Sequence, residues 1–60
     1  MYYCVSKDGI EYKSGSKPIR ADGINTWSSF QLQDIPEGSI EDITGVKLTW
    51  EDEPYEQRTD

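Results

Sequence analysis

This chain lacks most of what very small proteins use to hold themselves together. Cys4 is its single cysteine, so no disulfide can form within it. It has no histidine, and one thiol alone cannot make a zinc site. Sixty residues make one domain at most. A chain of that length buries only about 60% of the surface it exposes when unfolded. With disulfide and metal excluded, a very economical core or a second subunit must supply the rest, and a homodimer is the favoured expectation.

The same absences bear on chemistry. Without histidine the commonest general base is gone. No motif surrounds Cys4, and a free cysteine in a hairpin ordinarily serves packing. Gly15 and Gly23 stand alone in turns and make no phosphate loop. Asp34, Glu37, Glu41 and Asp42 lack the ligand spacing and the glycine of a calcium loop. The expectation is therefore no enzyme, with no catalytic, cofactor-binding or metal-binding residues. No apolar run approaches a membrane span, and no leader pattern opens the chain. It reads as a complete small cytoplasmic product, a compartment that suits an unpaired thiol.

Basic residues are also scarce in one half. The formal charge is -6. Residues 1–33 hold three acids and four bases, whereas residues 34–60 hold nine acids and two bases. The acidity thus belongs to the second half, where Glu41, Asp42 and the run Glu51, Asp52 and Glu53 stand out. Such a surface repels nucleic acid, whose binding rests on cationic contacts to phosphate. It attracts basic protein surfaces, including those that normally hold DNA or RNA. The commoner use of a charge run is a solvated face.

The segment "YYCVSKDGIEYKS" is the clearest structural signal. Two runs rich in aromatic and β-branched residues flank Asp8-Gly9, which suits a two-residue type I′ turn. That turn predicts Lys7 opposite Ile10, Val5 opposite Tyr12 and Cys4 opposite Lys13. It puts Tyr3, Val5, Ile10 and Tyr12 on one face. Ser14 to Pro18 is a loop, Ile19–Ala21 a short extended piece, and Asp22-Gly23 a second turn. Alternation predicts a strand over Ile24 to Gln33, with Trp27 among polar neighbours and so at an edge or a dimer contact. Asp34 to Ser39 is a loop. "SIED" resembles a capping box opening one helical turn, which Gly45 stops. Val46 to Trp50 alternates as a strand. The tail from Glu51 is expected to be partly disordered.

The fold expectation is mainly β: a small antiparallel sheet of about four strands, an N-terminal hairpin, and at most one short helical turn. The domain spans residues 1–50, and 51–60 form an acidic tail. The apolar set Tyr3, Val5, Ile10, Tyr12, Ile24, Phe30, Leu32, Ile40, Ile43, Val46, Leu48 and Trp50 would cover one face of one sheet. A second subunit would cover the rest.

Two Trp and four Tyr in so short a chain serve either a small core or an interface. Basic residues beside the hairpin tyrosines give only a faint nucleic-acid pattern, so no direct nucleic-acid contact is expected. In length, charge and β pattern the chain resembles the small acidic early proteins that bacteriophages make against host enzymes and defence systems. Among them it is similar to the short phage proteins that counter the Hachiman helicase–nuclease system. The resemblance covers the whole chain without a motif and transfers no functional residue. It implies an inhibitor that docks on a basic surface of a host enzyme, such as a helicase or nuclease. Glu41, Asp42, Glu51, Asp52, Glu53 and Trp27 are the expected partner-binding residues. Two other classes stand beside it: a self-assembling structural or accessory phage or plasmid protein, and a ligand-binding protein using carboxylates at a dimer seam.

Overall fold

Only one residue of the Asp8-Gly9 pair takes the left-handed conformation, and this sets the first hairpin. In the computed structural model, which describes residues 1–58, Gly9 has φ 86° and Asp8 keeps a negative φ. A type I′ turn would need both residues positive. Instead Gly9 N–H donates to Ser6 O at 3.0 Å and Ser6 N–H to Ile10 O at 2.9 Å. This is a type I turn with a glycine bulge, a three-residue loop. Strands β1 (Tyr2–Val5) and β2 (Glu11–Ser14) therefore pair one residue away from the expected register. Tyr3 faces Lys13, Cys4 faces Tyr12 and Val5 faces Glu11. A one-residue slip moves every β2 side chain to the other face. Tyr12 leaves the face of Tyr3 and Val5, and Glu11 joins it.

The chain continues through β3 (Ile19–Ala21), a 3-10 turn at Asp22–Ile24, β4 (Thr26–Ser28), β5 (Gln33–Ile35), helix α1 (Ser39–Thr44) and β6 (Tyr55–Glu56). One antiparallel sheet has the order β5-β2-β1-β6, and β3 and β4 form a second, two-stranded sheet. The fold is mainly antiparallel β with one short helix, as the sequence pattern implied. Several segments differ from expectation. Within Ile24 to Gln33 only Thr26–Ser28 pairs with β3. Asn25, at φ 56°, breaks the strand before it, and Ser29 turns into a hydroxyl cluster with Ser14 and Ser16 after it. Asp34 and Ile35, expected in a loop, pair with Tyr12 and Glu11. Val46 to Trp50 forms no strand, because local side chains take its backbone. Thr44 Oγ1 accepts from Val46 N–H, and Asp52 Oδ2 accepts from Thr49 N–H.

Part of the segment read as a tail is placed against the main sheet. Tyr55 and Glu56 pair with Tyr3 and Tyr2, and Gln57 N–H donates to Met1 O at 2.9 Å. The C-terminal segment is thus an edge strand of the main sheet. The last two residues, 59–60, lie outside the described part.

Strand β1 is buried on both faces, not one. Tyr3 and Val5 pack with Ile40 of α1, joined by Ile35, Leu48 and Tyr55. Cys4 points the other way and is 2% exposed. The core is correspondingly frugal. Ile10, Ile24, Phe30, Ile43 and Val46, all expected inside, are exposed. Ile24 sits in the 3-10 turn and Phe30 in the loop after β4, where no element covers them.

Candidate functional site

Helix α1 is too short to persist alone, so packing and capping must hold it. Ile40 anchors it in the core. Its N-terminus is not closed by the expected capping box. Gly38 is the N-cap, no side chain of the helix caps it, and Ser39 is its first residue. The carboxylate of Glu11 does the work from β2: Oε2 accepts from Gly38 N–H at 2.6 Å and Oε1 from Ile40 N–H at 2.8 Å. At the other end Gly45, at φ 75°, donates its N–H to Glu41 O.

Between this helix start, the β1–β2 turn and the segment 47–51 lies a cleft of about 590 Å³. Val5, Ile40, Leu48 and Trp50 give it an apolar floor. Exposed Glu37, Glu41 and Glu51 stand at its rim with Lys7 and Lys47. Its volume falls in the range of ligand pockets, and its make-up, apolar below and charged above, suits a side chain with an apolar stem and a charged head. The two lining hydroxyls are engaged. Ser6 Oγ accepts from Ile10 N–H, and Thr49 Oγ1 donates to Asp52. Among the described residues no group of three or more His, Cys, Asp or Glu could hold a metal ion.

A second cluster braces the cleft from behind. Arg20 on β3 holds its guanidinium 4.5 Å from the Trp27 ring and 4.4 Å from the Trp50 ring. The two indoles meet edge-on, with centroids 5.6 Å apart and planes at 69°. Arg20 also donates to the carbonyls of Trp50 and Asp52, and Trp27 Nε1–H donates to Val5 O at 2.8 Å. These bonds tie the cleft floor to both sheets.

The expected partner-binding residues separate in space. Glu41 and Glu51 share the cleft rim. Asp42, Asp52 and Glu53 are exposed but do not line it. Asp52 is committed to a turn, accepting from Thr49 N–H and Oγ1. Trp27, expected at an edge or a contact, is 3% exposed and offers a partner no surface. Its alternation among polar residues is explained by Arg20, a polar neighbour that lies on the ring itself. Sequence reading missed Glu37 at the rim and Glu11 beneath it. The only available signal for Glu11 was its place beside the hairpin turn, which was read in the wrong register. Among the described residues the one ion pair joins exposed Arg58 and Glu56 at 3.9 Å, so none of the rim carboxylates is paired.

Burial pushes the Cys4 thiol up from 9.0 to about 12. It stays protonated at neutral pH and is a packing residue in this fold. None of the helices is long and apolar enough to cross a membrane among the described residues. Compared with known proteins, the chain matches no protein-family model, no curated protein and no solved structure.

Proposed function

We propose that this chain is a small acidic binding protein that inhibits a larger enzyme by docking on its basic surface. The observation that carries the reading is the cleft whose rim bears the unpaired carboxylates of Glu37, Glu41 and Glu51 over an apolar floor. A lysine or arginine of the partner places its stem on Leu48 and Trp50 and its head among these carboxylates. The chain's charge of -6 steers the encounter. In this reading the protein is phage-encoded, acts in the host bacterial cytosol as a homodimer, and targets a defence or nucleic-acid-processing enzyme such as a helicase or nuclease. It contributes no catalysis and contacts no nucleic acid itself.

Affinity capture from a bacterial lysate at low and high salt, with the bound proteins identified by mass spectrometry, tests the reading. One stoichiometric, salt-sensitive enzyme is the expected result. The variant Glu37→Gln/Glu41→Gln/Glu51→Gln should bind that enzyme ~10- to 100-fold more weakly and relieve its inhibition in proportion. Capture of nothing at either salt, or undiminished binding by the triple variant, would overturn it.

A further inference from the structure

The acidic-rimmed cleft is larger than one side chain needs. At about 590 Å³ it lies inside the range of pockets that enclose a whole drug-sized ligand. A single lysine or arginine fills only part of that space. The rim charges are mixed: exposed Glu37, Glu41 and Glu51 stand with exposed Lys7 and Lys47. Glu11 adds a carboxylate that is already accepting from the helix start. This balance favours one cation among uncharged neighbours. An unbroken basic run would set further cations against both lysines.

One wall of the cleft is free to be paired. Val46 to Thr49 runs without a turn or bend, its residues alternating apolar and polar. Its ends are engaged, Val46 N–H and C=O with Thr44 Oγ1, and Thr49 N–H and C=O with Asp52. Among the described residues, the backbone N–H and C=O of Lys47 and Leu48 have no hydrogen-bond partner. In a straight segment successive residues turn these groups to opposite sides, so the wall offers one free pair on each flank.

We propose that the cleft takes a short extended peptide segment of its partner, which pairs with Lys47–Leu48 as an added strand and carries one basic residue between apolar ones. The proposal rests on the inhibitor reading above and specifies what docks: a flexible segment of the basic enzyme, not its rigid surface. Main-chain bonds to residues 47 and 48 supply affinity, and the alternation of side chains supplies selection. Residues two apart on the segment share a face. The two apolar side chains and the stem of the cation thus lie together over Val5, Leu48 and Trp50, and the charged head reaches the rim carboxylates.

Amide NMR titration of the full chain tests this with three probes: the capped pentapeptide Leu-Ser-Arg-Ser-Leu, the same peptide with every backbone nitrogen methylated, and capped arginine alone. The expected result is pentapeptide binding with a Kd of ~10–1,000 μM, the signals of Lys47 and Leu48 shifting most. The methylated peptide and capped arginine should each bind ~10-fold more weakly or worse. The variant Glu37→Gln/Glu41→Gln/Glu51→Gln, altered only at exposed positions, should keep its melt and weaken the pentapeptide ~10-fold. Capped arginine or the methylated peptide binding as tightly as the pentapeptide would overturn the added strand. No shift at millimolar pentapeptide, with a salt-sensitive enzyme still captured, would overturn the segment and leave the inhibitor reading standing. Pentapeptide binding at the cleft with no enzyme captured would support the segment and remove the inhibitor. Failure of both would overturn both.

Discussion

Glu11 holds the start of the helix that carries Ile40. Its carboxylate, reaching from β2, accepts the N–H groups of Gly38 and Ile40 at 2.6 and 2.8 Å. No side chain of this six-residue helix caps that end, so two backbone donors depend on Glu11. Glu11→Ala should cost about 2 kcal/mol, between the loss of an ordinary cap and of a charge-assisted pair. Glu11→Gln should cost less, because an amide oxygen still accepts one bond. Urea unfolding of the three proteins measures this. An alanine variant within about 0.5 kcal/mol of wild type would show that water replaces the cap at no cost.

The final strand should be indispensable. Tyr55 packs against the cluster of Tyr3, Val5 and Ile40, and β6 covers the outer edge of β1. Gln57 joins Met1 through both backbone directions, donating its N–H and accepting from the terminal amine. A chain cut after Trp50 loses all of these contacts from a core that has few others. It should give a disordered amide spectrum, whereas Tyr55→Ala should remain folded and lose roughly 2 kcal/mol, less than for a fully buried ring. A cooperative melt of the truncated chain at the wild-type temperature would contradict this.

Arg20 is held by its planar shape as much as by its charge. It lies against two indole rings while donating to two carbonyls. Lysine keeps the charge but cannot stack on both rings and fork to both oxygens. Arg20→Lys should therefore cost ~1 to 2 kcal/mol, a fall in melting temperature of roughly 5–10 °C in a domain of this size. Tryptophan fluorescence should report the loosened indole pair. Arg20→Lys melting together with wild type would mean that the stacked geometry contributes nothing.

What could be read from the sequence depended on the range of the interaction. The hairpin around Asp8-Gly9, the short piece Ile19–Ala21 and the helical turn ended by Gly45 were legible, because turn glycines act locally. Register was not. Whether Asp8 joins Gly9 at positive φ is decided by the neighbours the hairpin acquires, and that choice put Glu11 on the helix side. The alternation in Val46 to Trp50 looked like a strand, yet Leu48 reaches the core from a loop whose backbone is taken by Thr44 and Asp52. The acidic character of the site was legible from composition. Its geometry was not, since Glu37, Glu41 and Glu51 meet only when α1 and segment 47–51 are brought together by Glu11, Ile40 and the Arg20 cluster.

Cys4 should behave as a masked thiol. Burial raises it from 9.0 to about 12. A thiol reagent at pH 8 should react slowly with the native protein and quickly once urea unfolds it. The linkage has a definite sign. Between pH 9 and 12 the unfolded chain has lost the proton and the folded chain still holds it, so stability falls as pH rises through that window. Below pH 9 the thiol is neutral in both states and the contribution is fully present. The comparison is with Cys4→Ala, which isolates the contribution of the thiol. The stability advantage of wild type over that variant, from packing, should shrink as pH climbs from 9 to 12. An advantage that stays constant across the window would show that the thiolate forms as easily in the folded chain.

The acidic run Glu51, Asp52 and Glu53 should divide into separable roles. Asp52 Oδ2 accepts from both Thr49 N–H and Thr49 Oγ1, and Asp52 N–H returns a bond to Thr49 O at 3.1 Å. This turn holds Trp50 where Arg20 can lie on its ring and bond its carbonyl. Asp52→Ala should therefore destabilise the fold by about 1 kcal/mol, the usual scale for an exposed capping carboxylate. It should also change the Trp50 emission. Glu53→Gln changes neither the turn nor the cleft and should be silent in folding. Glu51→Gln also leaves the fold intact, but it removes a rim charge and should weaken binding of the basic partner. Thermal melts and binding measured side by side on the three single variants separate these roles. If all three melted alike and weakened binding equally, the run would be one undifferentiated charged surface, and the turn at Thr49 would have no part in shaping the cleft.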